Sequence, residues 1–169
     1  MPDLDDVLED NLENSLSNPL ASENSTMISL DYLKRGIAGL NEHRKSLYSR
    51  VPETYDWAKY THESITLEDL AYLSAYCDHE FALLRGKNED ILYHGDHRTC
   101  PIEKDGTLRY LLENKKIKLV AHTHNDVNKI IPSDGDRNFL KQFDQDSSII
   151  VSYVTGKSIQ FFADRFREE

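Results

Sequence analysis

One short stretch constrains this chain more than any other. Ile117, Leu119 and Val120 form an apolar run without Gly or Pro that leads into Ala121-His122-Thr123-His124. Such a run reads as a strand. Side chains two apart on a strand share a face, so His122 and His124 point the same way. Two neutral imidazoles on one face can hold a single ion, because their ring nitrogens bind zinc at ~2.0–2.1 Å. A catalytic zinc takes three protein ligands and leaves a fourth position for water.

The third ligand is sought downstream. Asn125 to Pro132 is long enough to fold back on the strand, and Pro132-Ser133-Asp134-Gly135-Asp136 follows it. Ser133-x-x-Asp136 fits a helix start, with Ser as N-cap and an acid at the third helical position. The segment 138–143 (Asn-Phe-Leu-Lys-Gln-Phe) continues that helix. A capped helix would hold Asp136 rigidly near the histidines. Asp134 and Asp126 are rivals for the same role, and the Ser-x-x-Asp register favours Asp136.

The combination of His122-Thr123-His124, an intervening loop, Ser133 and Asp136, with Glu80 upstream, resembles the JAMM (JAB1/MPN/Mov34) metallopeptidases. Their signature is a Glu, then His-x-His-Pro, a loop, and Ser-x-x-Asp. Asn125 stands where the family has Pro, which loosens the turn but removes no ligand. The likeness runs from about Thr66 to Asp164 and leans toward the bacterial JAB-like branch. It implies zinc (Zn2+) on His122, His124 and Asp136, Glu80 as the proton-transferring base, and Ser133 as a hydrogen-bond donor to the developing oxyanion. Read without the resemblance, Glu80 is a surface carboxylate at a strand start and Ser133 an N-cap. Glu63 and Asp78 are alternative bases. His79, beside Glu80, should point to the other face, and His94 and His97 read as surface histidines of a polar loop.

Charge narrows the partners. The net charge is −10, but residues 1–25 alone carry −7 with no Lys or Arg, leaving −3 on the rest. That balance suits phosphate backbones poorly, so no nucleic acid is expected as partner. No stretch approaches the ~20 apolar residues of a membrane helix, so no membrane is expected either. The acidic start lacks the pattern of a signal peptide, and a cytoplasmic location follows as an expectation. Cys77 and Cys100, the two cysteines, make no disulfide framework and no Cys-x-x-Cys zinc site.

Taken in order, residues 1–27 read as a flexible acidic tail in which Leu4, Leu8, Leu12 and Leu16 recur every four positions; charge makes it a candidate partner-binding segment. Residues 28–65 read as a helical extension. Its helix, about Leu30–Tyr48, buries Leu33, Ile37, Leu40 and Leu47 and is stopped by Pro52; Tyr55, Trp57 and Tyr60 follow as packing aromatics. Residues 66–164 form the main domain, and 165–169 a charged tail. Within the domain a helix from Leu67 to Ala75 starts at Thr66. Strand 79–85 pairs with 90–94 across a Lys87-Asn88-Glu89 turn. A short strand at Cys100–Glu103 and a helix at Thr107–Glu113 precede the histidine strand. A hairpin of 148–154 and 158–162 turns on Thr155-Gly156-Lys157. The order predicts an α/β domain with a mostly antiparallel sheet flanked by helices. The resemblance adds the JAMM/MPN form, a curved sheet carrying zinc at one edge.

The reading of function is a zinc-dependent metallopeptidase or isopeptidase acting on a protein or peptide, with the tail of ubiquitin or a ubiquitin-like protein as the substrate the resemblance implies. Such a tail would bind as an added strand along a sheet edge. The alternatives are a catalytically silent MPN-type binding module, against which the intact ligand set counts, and a zinc hydrolase of another amide such as a peptidoglycan cross-link.

Overall fold

The structure is a computed structural model that describes residues 42–164. The acidic tail, the first part of the Leu30–Tyr48 helix and the tail at 165–169 lie outside the described residues. The elements, in chain order, are α1 (Glu42–Ser49), β1 (Trp57–Thr61), α2 (Leu67–Cys77), β2 (Phe81–Gly86), β3 (Glu89–His94), a 3-10 turn (Ile102–Lys104), α3 (Gly106–Glu113), β4 (Ile117–His124), α4 (Asp134–Gln142), β5 (Ser147–Ser152) and β6 (Ser158–Phe162). The strands make one open six-stranded sheet in the order β1-β3-β2-β4-β5-β6. Every neighbouring pair is antiparallel except β4–β5. A parallel pair needs a crossover, and α4 lies in the connection between them. The class is α/β with a mostly antiparallel sheet and four helices among the described residues. None of those helices is long and apolar enough to cross a membrane.

Helices cover both faces of the sheet because its central strands are apolar on both sides. Phe81, Leu83, Ala121 and Val151 pack under α1 and α2, where Leu47, Leu70 and Leu73 are buried. Ala82, Leu84, Leu119 and Ile117 pack against Leu108 and Leu112 of α3 on the other face. A third group, Leu140 of α4 with Ile150 and Phe161, fills the space beneath the crossover. Local chemistry sets the helix ends. Thr66 caps α2, its hydroxyl accepting from Asp69 N–H while Asp69 Oδ2 accepts from Thr66 N–H, both at 3.0 Å. Asp78 then closes the helix in the left-handed region (φ 56°) and turns the chain toward β2.

Four expectations are corrected. Trp57 and Tyr60 are not loose packing aromatics: they belong to β1, which pairs with β3, so the sheet reaches into the segment read as a helical extension. Cys100–Glu103 is no strand, because Pro101 leads into the 3-10 turn that buries Ile102. Strand β5 stops at Ser152, where the hydroxyl accepts from the Val154 and Thr155 amides and bends the chain early. His94 is not a surface residue; it ends β3 only 8 % exposed, stacked on Phe81 at 4.4 Å and 2.8 Å from both His79 Nδ1 and the Pro52 carbonyl oxygen.

Candidate metal centre

The two histidines reach their place through a bulge. Leu83 pairs with Ala121 but Leu84 pairs with Leu119, so Val120 is an extra residue on β4. A bulge of this kind reverses which face later residues present. Leu119, His122 and His124 therefore all line one cleft, while Ala121 packs on the α2 side. Without it, His122 would lie opposite Leu119 and point into the α2 core. Glu80, at the start of β2, belongs to the same alternation as Ala82 and Leu84 and opens onto that cleft.

The third donor comes from the start of α4. Ser133 caps the helix: its hydroxyl accepts from Asp136 N–H at 3.0 Å, and Asp136 Oδ2 accepts from Ser133 N–H at 2.8 Å. The cap aims the Asp136 carboxylate at the histidines, with Oδ1 2.9 Å from His122 Nε2 and Oδ2 3.1 Å from His124 Nε2. The two Nε2 atoms are 3.1 Å apart. Ligand atoms around a tetrahedral zinc stand about 3.3 Å apart, given bonds of ~2.0–2.1 Å. An outward shift of a few tenths of an ångström would open this triad to an ion. Two imidazole nitrogens and one carboxylate oxygen are also a donor set that zinc accepts. His122, His124 and Asp136 could thus hold a metal ion.

The surroundings orient the donors. His124 Nδ1 lies 3.0 Å from Asp126 Oδ2, which leaves Nε2 as the outward-facing donor. Asp126 is itself anchored, since Ser152 Oγ donates to its carbonyl at 2.6 Å. Asp126 thus orients His124, and Asp134 is absent from the donor group. His122 Nδ1 is buried without a hydrogen-bond partner, and its ring stands edge-on to Phe161 at 5.8 Å.

Electrostatics follow from this crowding. Burial pushes the Glu80 carboxyl up to about 8, with nearby His124 opposing the shift and Asp136 adding to it. Burial disfavours the His124 imidazolium, yet the hydrogen bond and charge of Asp136, with Glu80 behind it, raise the group to about 9. Burial also works against the Asp136 carboxylate, but hydrogen bonds to His122 and His124 hold it well below the usual range.

All five residues singled out in the sequence, Glu80, His122, His124, Ser133 and Asp136, line one cleft of about 510 Å³. Glu63 and Asp78 do not line it. Glu63 N–H donates to Asp90, and Asp78 accepts from the Tyr153 hydroxyl. β4 is an inner strand of the sheet, and the two histidines lie at its C-terminal end.

Three supporting residues escaped the sequence reading. Gly95 N–H donates to the Glu80 carbonyl and Glu80 N–H to the Asp96 carbonyl, both at 2.8 Å, so the loop after β3 clasps Glu80. Thr123, pointing away from the cleft, accepts from Phe81 N–H at 2.9 Å. Its place between the two histidines was the only signal for it. Comparison of the chain with protein-family models, curated proteins and solved structures found no match.

Proposed function

We propose that this chain is a zinc-dependent metallopeptidase or isopeptidase of the JAMM/MPN type, nearest its bacterial JAB-like branch. The observation that carries the reading is one cleft in which a buried carboxylate, Glu80, accompanies a His-His-Asp donor set. His122, His124 and Asp136 would hold the ion. Bound there, zinc would acidify a water toward a pKa of ~7 and polarise the substrate carbonyl.

The remaining work falls to the protein. Glu80 takes the proton of the attacking water and passes it to the leaving amine. Ser133 Oγ already accepts from Asp136 N–H, so its own proton is free to donate to the oxyanion. Asp126 fixes the ring of His124. The substrate is an extended peptide or isopeptide, with the tail of a ubiquitin-like protein as one class to try.

The test is hydrolysis by zinc-loaded protein of fluorogenic peptides and of ubiquitin-like proteins carrying an amide-linked C-terminal reporter. Glu80→Gln should lower turnover by ~10²–10⁴-fold with zinc retained, the usual contribution of a general base. Equal turnover in that variant would remove Glu80 from the mechanism.

A further inference from the structure

The cleft that holds the donors has a second wall, built by the loop from Asp96 through the 3-10 turn. Two cations, Arg98 and Lys104, stand on it, and both line the same cleft as His122, His124 and Asp136. Both are exposed. Arg85, Arg109 and Lys59, by contrast, are engaged with Asp90, Glu113 and Glu89. Among the described residues, no carboxylate lies within ion-pair distance of Arg98 or Lys104.

Their supports are fixed. Asp96 Oδ1 accepts from the Arg98 and Thr99 amides, each at 2.7 Å, and Tyr55 Oη donates to Asp96 Oδ2 at 2.6 Å. The Lys104 amide donates to the Pro101 carbonyl at 3.1 Å. The acids of the cleft are mostly committed: Asp136 to the donor group, Asp126 to His124, and Glu80 to burial beside them. Glu103, next to Lys104, is the remaining acid on that wall. Ile102 and Leu119 give the space between the walls an apolar lining. A cleft of about 510 Å³ takes a ligand of a few residues, not a folded domain.

From this we infer that Arg98 and Lys104 form a carboxylate-recognising subsite, so that the cleft prefers a substrate bearing a carboxylate a short distance from the scissile amide. The inference rests on the amide-hydrolase reading of the same cleft and adds the substrate class. The carboxylate has two sources, an acidic side chain or a free C-terminus. A substrate tail with a basic residue at this position is disfavoured.

The experiment uses full-length zinc-loaded protein and hydroxamates, which anchor on zinc whether or not hydrolysis occurs. One pair is acetyl-glutamyl hydroxamate against acetyl-glutaminyl hydroxamate, which tests the side-chain source. The other is a malonyl-dipeptide hydroxamate ending in carboxylate against the same compound ending in carboxamide, which tests the terminal source. In at least one pair the acid should bind about five- to tenfold more tightly at low salt, because exposed ion pairs are individually weak. The preference should shrink with added salt and vanish in the Arg98→Gln, Lys104→Gln double variant, while the neutral member binds unchanged. Tight binding without preference in either pair overturns the subsite and leaves the metal reading standing. Protein that retains no zinc, or zinc that no hydroxamate reaches, overturns both.

Discussion

The backbone amide of Phe81 donates to the Thr123 hydroxyl at 2.9 Å, on the face of the sheet away from the cleft. Ser74 Oγ of α2 lies 2.8 Å from the same hydroxyl, and both hydroxyl residues are fully buried. A single side chain therefore ties the residue after Glu80 to the strand that carries both histidines, and ties both to α2.

Thr123→Val keeps the shape but leaves a buried amide and a buried hydroxyl short of a partner. Such a loss costs about 1–3 kcal/mol. Urea unfolding should show that loss, and turnover should fall while zinc content stays at the wild-type level. Thr123→Ser should restore both stability and turnover. A valine variant as active and stable as wild type would mean that Glu80 is positioned by other contacts.

Gly95 is a position where a methyl group has no room. A Cβ there would meet the Thr99 carbonyl oxygen at 2.2 Å and Cys100 Sγ at 2.6 Å. Gly95→Ala must push apart the loop that clasps Glu80, with an overpacking cost of about 1–3 kcal/mol. Gly106, at the start of α3, has nothing within 4 Å of where a Cβ would stand. Gly106→Ala should be neutral or stabilising by up to about 1 kcal/mol, through the better helix propensity of Ala. Urea midpoints of the two variants should move in opposite directions, or only the first should move.

Much of this site is legible in the chain itself. His-x-His on an apolar run and Ser-x-x-Asp at a helix start are local patterns, and the structure brings them together because capping fixes Asp136 within one turn of Ser133. The β2–β3 and β5–β6 pairs are likewise local. What failed to show is non-local. Trp57–Thr61 is five residues with a lysine in the middle, and only its pairing with β3 makes it a strand. The bulge at Val120 leaves no mark in the apolar Leu119-Val120-Ala121 run, yet it decides which face the histidines take. His94 reads as polar-loop material until Phe81 and His79 pack against it. Arg98 and Lys104 are ordinary surface residues until the fold sets their loop across from the donors.

Metal and protons should compete. In the metal-free protein the His124 imidazole is raised to about 9, against burial, chiefly by Asp136 and Glu80, so near neutral pH it carries a proton that zinc must displace. Zinc affinity should therefore rise with pH up to about 9 and level off above it. Titration calorimetry in buffers of different ionisation enthalpy should show about one proton or more released at about pH 7.5, and fewer at higher pH. No proton release near neutral pH would contradict the arrangement around His124.

The two cysteines should be inert in the native state. Both are free; burial raises Cys77 to about 11 and Cys100 well above the ordinary thiol value, with Glu80 and Asp96 adding to the latter. The thiolate is the reactive form. A chromogenic disulfide reagent near neutral pH should react slowly with folded protein and with both thiols at once after denaturation.

Zinc binding also bears on stability, since an ion that binds only the folded chain adds ~2.7 kcal/mol at a hundredfold excess over its dissociation constant. A chelator should therefore lower the melting temperature of the wild type and leave a His122→Ala, His124→Ala double variant unmoved.

The most direct measurement is elemental analysis of purified full-length protein after zinc loading and removal of free metal. About one zinc per chain is expected in the wild type and in Glu80→Gln, with nearly all of it lost in the His122→Ala, His124→Ala variant and in Asp136→Ala. Wild-type protein without zinc, or full zinc in the variants lacking those donors, would rule out this metal centre.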